Sequence, residues 1–500
     1  MNFMTEDFWN RLLEILPGAL TWVVLTSPLW LSIKLPFAAA VLVLFLNTYW
    51  VFRALKMAFY SYVGYFRMQK ALKIDWISEL DWLKRDEKSD WHHICHLLVI
   101  PTLKEPITIL EQCLKSIEMQ EYPKERIFVL VGLEEKEGAE ELKRKQRELE
   151  EKFKAVFGGL FFTIHPKNYP GHMPGAGSNR TYAVKVILPI LKDKVSGFNQ
   201  VILTTLDADF VIHKKFLAGM TYKYLTTEKR EKRTFTGVFW YFNNFWQSPF
   251  FTRMVASGVS FWQLSEMAGS DKYMNFSSHS INLQSLIEMD FWVVNKVNDD
   301  GEFYWRAYYH FSGDYAVIPH YLPIFADCVQ NKNVWLTIKE QYLQLKRWAY
   351  GVEHMPMIIK NYFKRSDIPF FGRTDRVLFL IRSYLTWSTL AVLVTFGGIA
   401  VQVINPNFAM TTLAFNLPYF TSRLLAMAIL GLLSLIFLQE KLVPPRPKKW
   451  GIFTRIFSFI QWIFLPLTLL FYGSLPAIDA QTRLMLGKYM EFRVTTKVRS

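Results

Sequence analysis

The sequence predicts an α/β domain inserted between N-terminal and C-terminal transmembrane helices. Two observations carry this prediction. Uncharged apolar runs of membrane-spanning length lie only near the two ends of the chain. Between them, at about 70–375, charged helical stretches alternate with short apolar runs of the kind that form buried strands. The composition agrees, because 51% hydrophobic and only 20% charged residues exclude an ordinary soluble protein.

The N-terminal end predicts a transmembrane hairpin. Residues 15–33 and 35–52 are uncharged runs separated by a single lysine, and each is long enough to cross a bilayer. A cleaved signal peptide is the alternative. The first run lacks the basic start and small-residue exit of a signal peptide, and a second run follows at once. We therefore expect residues 1–65 to form an uncleaved hairpin.

The C-terminal end predicts further membrane segments within residues 376–478. Residues 383–404 and 418–438 have the length and composition of two spans. A fifth run, 456–478, contains two prolines and has basic segments on both sides, which the positive-inside rule keeps in the cytosol. One crossing cannot satisfy both flanks. Either this run is a re-entrant pair of half-helices broken at the prolines, which we favour, or one basic segment is translocated.

Three apolar runs predict parallel strands of one sheet. They are 96–101, 127–132 and 201–206, and the helical stretch 106–119 separates the first two. Continuous apolar runs are typical of parallel strands buried on both faces. Strands that alternate with helices give a right-handed doubly wound sheet, whose ligands bind at the carboxyl ends of the strands. We therefore expect the chemistry directly after these three runs.

Polar residues follow all three strands. They are, in order, Thr102 and Glu105, then Glu134 and Glu135, then Asp207 and Asp209. Two carboxylates that flank one small residue can hold a divalent cation, and the cation can bridge a diphosphate. For a D-x-D motif taken alone, a solvated turn at the end of the strand is the alternative.

Two adjacent acids, Asp299 and Asp300, lie between Asn298 and Gly301. One of two neighbouring carboxyl groups can have its pKa raised by the other and work as a general base at neutral pH. The start of a helix is an equally good interpretation, because Asp is favoured at the N-cap.

Gln344, Arg347 and Trp348 lie on one face of a helix predicted within 336–362, at positions i, i+3 and i+4. Such a face offers an amide, a guanidinium and an indole to a diphosphate and a sugar ring. An amphipathic helix lying on the membrane is the alternative. Both interpretations can hold together for residues 336–375.

The order of these motifs resembles that of the membrane-integrated family 2 glycosyltransferases, which include the cellulose, hyaluronan and mannan synthases. The matching motifs are strand-P-T-x-x-E, strand-E-E, D-A-D, D-D and Q-x-x-R-W, within residues 90–365. The tail, F-R-V-T-T-K at 492–497, resembles the gating loop of cellulose synthase. The resemblance implies a GT-A fold over 66–335, a Rossmann-like sheet that binds a nucleotide-diphosphate sugar with Mg²⁺ or Mn²⁺. It also implies transfer with inversion to an acceptor hydroxyl that an aspartate deprotonates.

The resemblance further implies roles for individual residues. The nucleotide sugar is expected at Thr102, Glu105, Glu134, Glu135, Asn179, Arg180 and Asp207. The metal is expected at Asp207 and Asp209, and the general base is expected to be Asp300 with Asp299 beside it. The pyrophosphate and the acceptor are expected at Gln344, Arg347, Trp348 and His279, with a structural role in the core as the stronger alternative for His279. The gating loop is expected to use Phe492, Val494, Thr495 and Lys497.

The sequence departs from the family pattern in two places. After the second strand, two glutamates stand where the family usually has two aspartates, and Ala176 stands where relatives often have lysine. A positive charge for the phosphates would then come from Arg180, Lys167 or the metal. Asp314 also competes for the role of base, and we prefer Asp300 because its spacing from the preceding motifs fits better.

The formal net charge of +15 is typical of a membrane-bound protein with basic cytosolic flanks. No nucleic-acid-binding fold is recognisable, so we expect no nucleic-acid partner. The three cysteines, Cys95, Cys113 and Cys328, have no metal-type spacing. We expect a multi-pass protein of the plasma (inner) membrane, with the catalytic domain and the tail, 479–500, in the cytosol.

Two kinds of acceptor remain open within this family, a saccharide and a lipid. We favour processive biosynthesis of a β-linked polysaccharide over transfer of one sugar to a membrane lipid. Four or five spans are few for a polymer channel, so a homo-oligomer or an accessory export subunit would have to supplement them. A channel without catalysis and a pseudo-enzyme scaffold are the alternatives outside the enzyme class.

Overall fold

The computed structural model describes residues 3–83 and 90–493. Within these residues, the α/β domain is built on an eight-stranded sheet with the strand order β3-β2-β1-β4-β7-β6-β8-β5. The strands are β1 (Cys95–Pro101), β2 (Ile127–Glu134), β3 (Gly159–His165), β4 (Val201–Thr205), β5 (Val211–Ile212), β6 (Arg233–Trp240), β7 (Ser280–Asn282) and β8 (Ala316–Phe325).

The first four strands form the parallel half of the sheet. β1 pairs in parallel with β2 and β4, and β2 pairs in parallel with β3. All residues of β2 and β4 are buried, which is why their sequences are continuous apolar runs. The three predicted parallel strands are confirmed. The edge strand β3 was not predicted, because most of its residues are only half-buried.

The second half of the sheet is mixed. β7 pairs antiparallel with β4 and β6, β6 pairs in parallel with β8, and β8 pairs antiparallel with β5. The predicted doubly wound parallel sheet is therefore wrong beyond β4. Antiparallel neighbours need no crossover helix, so the helix-strand alternation on which the prediction depended gives no signal in this half.

The helices of this part of the chain lie before, between and after the strands. They are α3 (Trp76–Leu83), α4 (Ile107–Glu118), α5 (Ala139–Phe153), α6 (Ala176–Lys192), α7 (Phe216–Leu225), α8 (Phe250–Gly269), α9 (Leu283–Glu288), α10 (Asp299–His310), α11 (Val334–Ala349) and α12 (Met355–Lys364). The predicted helix at 106–119 is confirmed as α4. Its buried residues Leu110, Cys113, Leu114 and Ile117 recur at helical spacing.

Five helical segments of the described chain are long and apolar enough to cross a membrane. Four of them contain the predicted spans and are α1 (Phe3–Lys34), α2 (Pro36–Lys73), α13 (Phe370–Ile404) and α15 (Thr412–Leu442). The short α14 (Pro406–Ala409) connects the last two. The α/β domain thus lies between two pairs of apolar helices.

The fifth segment, Ile452–Met485, is one helical segment. It comprises α16 (Ile452–Ile460), α17 (Leu465–Thr468) and α18 (Leu475–Met485), joined by a 3-10 turn and a π-helical stretch. The chain stays helical through Pro466 and Pro476, so two separate half-helices are not seen, but the 3-10 turn directly precedes α17 and the π-helical stretch directly precedes α18. Re-entry of this segment stays a prediction.

This fifth segment contacts the α/β domain near both of its ends. Nη2 of Arg253, in α8, donates to Oε1 of Gln461 at 2.8 Å. Toward the other end, Lys346 of α11 pairs with Asp479 at 2.6 Å. The segment is therefore joined to the domain at Gln461 and at Asp479.

Candidate active site

The carboxyl ends of β1, β2 and β4 bring Thr102, Glu134 and Asp207 to one edge of the sheet. The Thr102 N–H donates to the Gly132 carbonyl at 2.9 Å. The Thr102 hydroxyl donates to Oε2 of Glu105 at 2.8 Å. Burial raises the pKa of Glu105. A side-chain hydrogen bond therefore holds Thr102 and Glu105 together at this edge of the sheet.

Glu134 is buried among polar partners. Nδ2 of Asn179 donates to Oε1 of Glu134 at 2.9 Å and to the Gly132 carbonyl at 3.1 Å. A Cβ atom at Gly132 would overlap the Asn179 side chain, so glycine at this position is what lets Asn179 reach the end of the strand. Glu135 is exposed and accepts a hydrogen bond from the Lys167 N–H at 2.8 Å. The two glutamates thus have different surroundings, one interior and one at the rim.

The two acids of the D-x-D motif both accept hydrogen bonds. The Ser277 hydroxyl donates to Asp207 at 3.0 Å, and the Asp327 N–H donates to Asp209 at 3.0 Å. In the described part of the chain, no group of three or more acidic, His or Cys side chains is arranged to hold a metal ion alone. A cation that binds with a nucleotide needs only one or two carboxylates, because phosphates and water supply its other ligands. Asp207 and Asp209 therefore fit a Mg²⁺ or Mn²⁺ ion that binds together with a diphosphate.

Asp299 and Asp300 are the first two residues of α10. The helix-start interpretation is confirmed, although the N-cap residue is Asn298. The guanidinium of Arg180 pairs with Asp299 and, at 3.2 Å, with Asp300. A Cβ atom at Gly177 would lie 2.7 Å from Oδ2 of Asp299, so the glycine makes room for this acid. The N-terminus of α6 and the N-terminus of α10 thus meet at the pair of acids.

Asp300 is the more accessible acid of the pair. Its side chain is 20% exposed, compared with 9% for Asp299. Burial raises the pKa of Asp300 to about 7, and the negative charges of Asp299 and Asp207 act in the same direction, while Arg180 opposes them. A carboxyl group with such a pKa is partly ionised at neutral pH and can accept a proton from a hydroxyl group.

Arg180 lies beneath the acids and not at the surface of the cleft. It is 2% exposed. Besides its ion pairs, its Nη1 donates to Oγ1 of Thr205 at 3.0 Å, and its guanidinium lies 4.9 Å from the Trp292 ring centroid. Arg180 is thus paired with Asp299 and Asp300, and its contact with a nucleotide sugar stays a prediction.

Arg347 faces the same acids from α11. Burial lowers its pKa, and Asp207, Asp299 and Asp300 oppose this shift. Among the described residues, no carboxylate lies within salt-bridge distance of Arg347, in contrast to Arg180. The structure thus brings together three acids and two arginines, and Arg347 is the arginine that a diphosphate can reach.

Gln344 and Trp348 accompany Arg347 on α11. Gln344 is 8% exposed, and its Oε1 accepts a hydrogen bond from Nε2 of Gln341 at 3.1 Å. Trp348 is half-buried, and its carbonyl accepts a hydrogen bond from Nδ2 of Asn298 at 3.2 Å. The helix that carries the Q-x-x-R-W motif is therefore joined to the start of α10.

The first part of the tail motif lies over this helix. The Arg347 guanidinium lies 5.2 Å from the centroid of the Phe492 ring. The same ring lies next to Gly175, since a Cβ atom on Gly175 would be 3.4 Å from the ring. Arg493 forms an ion pair with Glu340 of α11. The other predicted gating residues, Val494, Thr495 and Lys497, lie outside the described residues.

Two residues that bind the backbone of Asn298, directly before the two acids, were not predicted from the sequence. Oε1 of Glu353 accepts a hydrogen bond from the Asn298 N–H at 2.9 Å, and Nε2 of His354 lies 2.7 Å from the Asn298 carbonyl oxygen. Their only signal in the sequence is an adjacent Glu-His pair in an otherwise apolar stretch after Gly351. That pattern alone does not indicate which backbone groups it serves.

His279 lies in the core, and Asp314 lies near the surface. His279 is 1% exposed, its Nδ1 donates to the Ser277 carbonyl at 2.8 Å, and burial lowers its pKa to about 3. It is therefore a neutral core residue, as the alternative interpretation held, and not a contact for the acceptor. Asp314 lies near the surface, where hydrogen bonds from Lys229 and Arg233 lower its pKa to about 2. A permanently ionised carboxylate of this kind is a poor general base.

No family model matches the chain, and no curated protein matches it. Among solved structures, it is similar to the mannosyltransferase PcManGT from Pyrobaculum calidifontis in complex with GDP-Man and Mn²⁺, with 14% identity and a TM-score of 0.41 over 80% of this chain and 99% of that one. It is also similar to S. aureus TarS 1–349 in complex with UDP, with 12% identity and a TM-score of 0.32 over 80% and 94% of the two chains. A third is GalNAc-T7 with UDP, GalNAc and Mn²⁺, with 11% identity and a TM-score of 0.36 over 59% of each chain. All three TM-scores are below 0.5.

Proposed function

We propose that the protein is a membrane-bound inverting glycosyltransferase that transfers a sugar from a UDP- or GDP-sugar to an acceptor hydroxyl. One observation carries the proposal. Asp300, whose pKa burial raises to about 7, lies in one electrostatic cluster with Asp207 of the D-x-D motif and with Arg347. A proton acceptor and a place for a diphosphate are thus adjacent at the ligand-binding edge of the sheet.

The donor side uses the acids after β4 and the arginine of α11. Asp207 and Asp209 would hold a divalent cation together with the diphosphate, and the cation would supply charge neutralisation to the leaving group. Arg347 would bind the same diphosphate, because a guanidinium matches phosphate geometry. Thr102 and Glu105 would contact the nucleoside at the carboxyl end of β1.

The transfer step uses Asp300. The acceptor hydroxyl gives its proton to the Asp300 carboxylate as its oxygen bonds to the anomeric carbon. The bond between that carbon and the diphosphate oxygen breaks at the same time, and its electron pair leaves with the nucleoside diphosphate. A single displacement inverts the anomeric centre. Arg180 pairs with both Asp299 and Asp300 and would hold the two acids side by side during the transfer.

The membrane arrangement follows from the apolar helices. We propose that α1, α2, α13 and α15 cross the plasma (inner) membrane and that the α/β domain lies in the cytosol. Lysines in the last turns of α2 and α15 support this orientation. The proposed division is a hairpin at 1–65, a GT-A domain at 66–335, interfacial helices at 336–375, membrane helices at 376–478 and a cytosolic tail at 479–500.

We infer that the product is a β-linked polysaccharide made processively, because Phe492 of the gating-like tail motif packs on Arg347 of the Q-x-x-R-W helix. A second candidate is the transfer of one sugar to a membrane lipid. It is favoured by the contacts that both ends of Ile452–Met485 make with the domain, since four crossing helices are few for a polymer channel. Sizing the radiolabelled product separates the two, because a single-sugar lipid excludes the polysaccharide.

The test of the enzyme class is nucleotide-sugar turnover in isolated membranes. Membranes containing the protein are supplied with each UDP- or GDP-sugar and with Mg²⁺ or Mn²⁺, and released nucleoside diphosphate is measured. We expect release with one donor and none with the Asp300→Asn variant. A failure to release nucleoside diphosphate from every donor contradicts the proposal and favours a channel or a pseudo-enzyme scaffold.

A further inference from the structure

We propose that Arg11 and Glu14, near the start of α1, are positioning residues for the diphosphate site. They hold the end of α18 and the tail segment 486–493 that follows it, and this segment places Phe492 on Arg347. The inference rests on the proposed function, because it takes Arg347 as a ligand of the diphosphate. It gives a role to two charged residues that neither the motifs nor the transfer step uses.

The helices α1 and α18 pack closely on each other. A Cβ atom on Gly18 of α1 would lie 2.6 Å from Cβ of Met485 and 2.7 Å from the Gln481 carbonyl oxygen, so glycine is what allows this approach. Nearby, the Thr21 hydroxyl donates to Oε1 of Gln481 at 2.6 Å. The end of α18 therefore has a defined position relative to α1.

The guanidinium of Arg11 binds the carboxyl end of α18. Its Nη1 donates to the Leu484 carbonyl at 2.8 Å, and its Nη2 donates to the Met485 carbonyl. The last carbonyl groups of a helix have no partner within the helix, and a cation beside them also interacts favourably with the helix dipole. The chain leaves α18 through Gly487, whose φ of 70° is the left-handed conformation that favours glycine. Arg11 thus stabilises the point at which the tail segment begins.

Glu14 joins α1 to the tail segment itself. Its Oε2 accepts hydrogen bonds from Nη1 of Arg11 at 3.0 Å and from the Tyr489 hydroxyl at 2.8 Å. The Tyr489 side chain is 62% exposed, so burial does little to hold it and the hydrogen bond to Glu14 orients it. One carboxylate oxygen therefore connects the cation at the helix end with the segment that follows.

The tail segment continues from Tyr489 to the arginine of the diphosphate site. The Met490 N–H donates to the Tyr350 hydroxyl at 3.3 Å. Phe492 is the next aromatic residue, and its ring centroid lies 5.2 Å from the Arg347 guanidinium. Because a guanidinium is attracted to the face of an aromatic ring, a segment released from α1 would leave Arg347 less well held.

A basic residue at the end of an apolar run can also act only as a topology signal. That role needs a charge near the membrane surface and no particular partner. Arg11 instead is only 34% exposed in its side chain, and its two Nη atoms donate to α18 carbonyl groups and to Glu14. These contacts favour a positioning role.

The test measures tail attachment and turnover separately. Full-length protein in detergent is treated with trypsin, and cleavage after Lys488 is followed by mass spectrometry, while kcat and the KM for the UDP- or GDP-sugar are measured on the same preparation. We expect Arg11→Ala to raise both the cleavage rate and KM about tenfold, the effect of losing hydrogen bonds to a charged group. The change in kcat should stay within about threefold, because Arg347 would hold the diphosphate less well before and during transfer alike. Arg11→Lys keeps a cation at the end of α18 and should restore most of both values.

Arg53→Ala is the matched control. Arg53 is half-buried like Arg11, and its Nη1 joins α2 to α13 by donating to Oγ1 of Thr386 at 2.8 Å. That hydrogen bond does not involve the tail segment, so the cleavage rate and KM should stay at the wild-type values. Should Arg11→Ala not fold, Tyr489→Phe removes the hydrogen bond to Glu14 from an exposed residue and should raise both values about threefold.

Each result decides the question. If Arg11→Ala leaves the cleavage rate or KM unchanged, or if Arg53→Ala raises both to the same extent, the inference is overturned. If the wild type turns over no UDP- or GDP-sugar, the proposed function fails instead. Faster cleavage of Arg11→Ala would then still support the attachment of the tail segment to α1.

Discussion

Glu353 holds the residue that precedes Asp299 and Asp300, because its carboxyl group accepts a hydrogen bond from the Asn298 N–H at 2.9 Å. Nε2 of His354 lies 2.7 Å from the carbonyl oxygen of the same residue, and the Trp348 carbonyl accepts from its side chain at 3.2 Å. Three groups of Asn298 are therefore bound by Trp348 of the Q-x-x-R-W motif and by Glu353 and His354, which follow the motif. This clamp fixes the start of α10, and with it Asp300, relative to the helix that carries Arg347.

Glu353→Ala should lower the transfer rate, since it leaves the half-buried Asn298 N–H without its acceptor. Losing this hydrogen-bond acceptor costs about 1–3 kcal/mol. Movement of Asp299 and Asp300 would reduce that cost. We expect kcat to fall about tenfold or more while nucleotide affinity stays within twofold, on the conversion of about 1.4 kcal/mol per tenfold. Glu353→Gln keeps an acceptor oxygen and should restore most of the rate. A loss of nucleotide affinity that parallels the loss of rate would argue against a positioning role.

Asp300→Asn should abolish transfer and leave nucleotide binding intact, because it removes the proton acceptor and none of the diphosphate ligands. Loss of a general base typically lowers the rate by about 10²–10⁴. The measurement is the initial rate of nucleoside diphosphate release beside the dissociation constant for the nucleotide. Asp314→Asn, which changes an acid near the surface, is the control and should transfer sugar at the wild-type rate. Near-normal turnover by Asp300→Asn would remove Asp300 from the mechanism.

The transfer rate should rise with pH through about 7 and level off above it. Asp300 accepts a proton only when ionised, and burial raises its pKa to about 7, so the rate falls about tenfold per pH unit below that value. Stability should change in the opposite direction. Between the unfolded pKa of about 4 and the folded pKa of about 7, the folded state binds more protons, so the contribution of this group to stability decreases as pH rises.

A pH series of kcat/KM and of Tm in detergent checks both trends on the same preparation. In Asp300→Asn, the decrease in Tm between pH 5 and 7 should become smaller, because the titrating group is gone. A rate that is flat from pH 5 to 8 would show that Asp300 is ionised throughout this range.

The sequence predicted the parts of the site that lie in local patterns. Thr102, Asp207 and Asp300 were predicted because each belongs to a short motif at the end of a strand or the start of a helix. The four apolar helices that contain the predicted spans were predictable for a similar reason, since length and lack of charge are local properties.

Contacts between distant segments were not predictable in the same way. Arg180 and Asp299 are 119 residues apart in the sequence and pair because α6 contacts the start of α10. Nothing in the sequence around Arg180 indicates that Asp299 is its partner. The course of the chain around Pro466 and Pro476 was not predictable for another reason. A helix can continue past proline with a locally changed hydrogen-bond pattern, here the 3-10 turn before α17 and the π-helical stretch before α18, and the sequence does not show which residues adopt that pattern.

Asp207→Asn combined with Asp209→Asn should weaken nucleotide binding that depends on a divalent cation. Removing both carboxylates removes the hard oxygen ligands that the chain offers to the ion. Titration of UDP or GDP with and without Mg²⁺ should show a large cation effect in the wild type and little in the double variant. Glu105→Gln, a change at a neighbouring acid outside the D-x-D motif, is the control and should keep the cation effect. Unchanged cation-dependent binding in the double variant would exclude these aspartates as metal ligands.

Arg180→Met should destabilise the protein and shift its activity to higher pH. Breaking a buried ion pair by removing one partner costs about 3–5 kcal/mol, because Asp299 and Asp300 then lie buried without their cation. The same loss raises the pKa of Asp300 further, so less of the base is ionised at neutral pH. Thermal unfolding in detergent should show a lower Tm, and the double variant Arg180→Met with Asp299→Asn should recover part of it, because one uncompensated charge is removed. Equal stability of Arg180→Met and the wild type, or a double variant less stable than the single one, would mean that the acids are neutralised by another group.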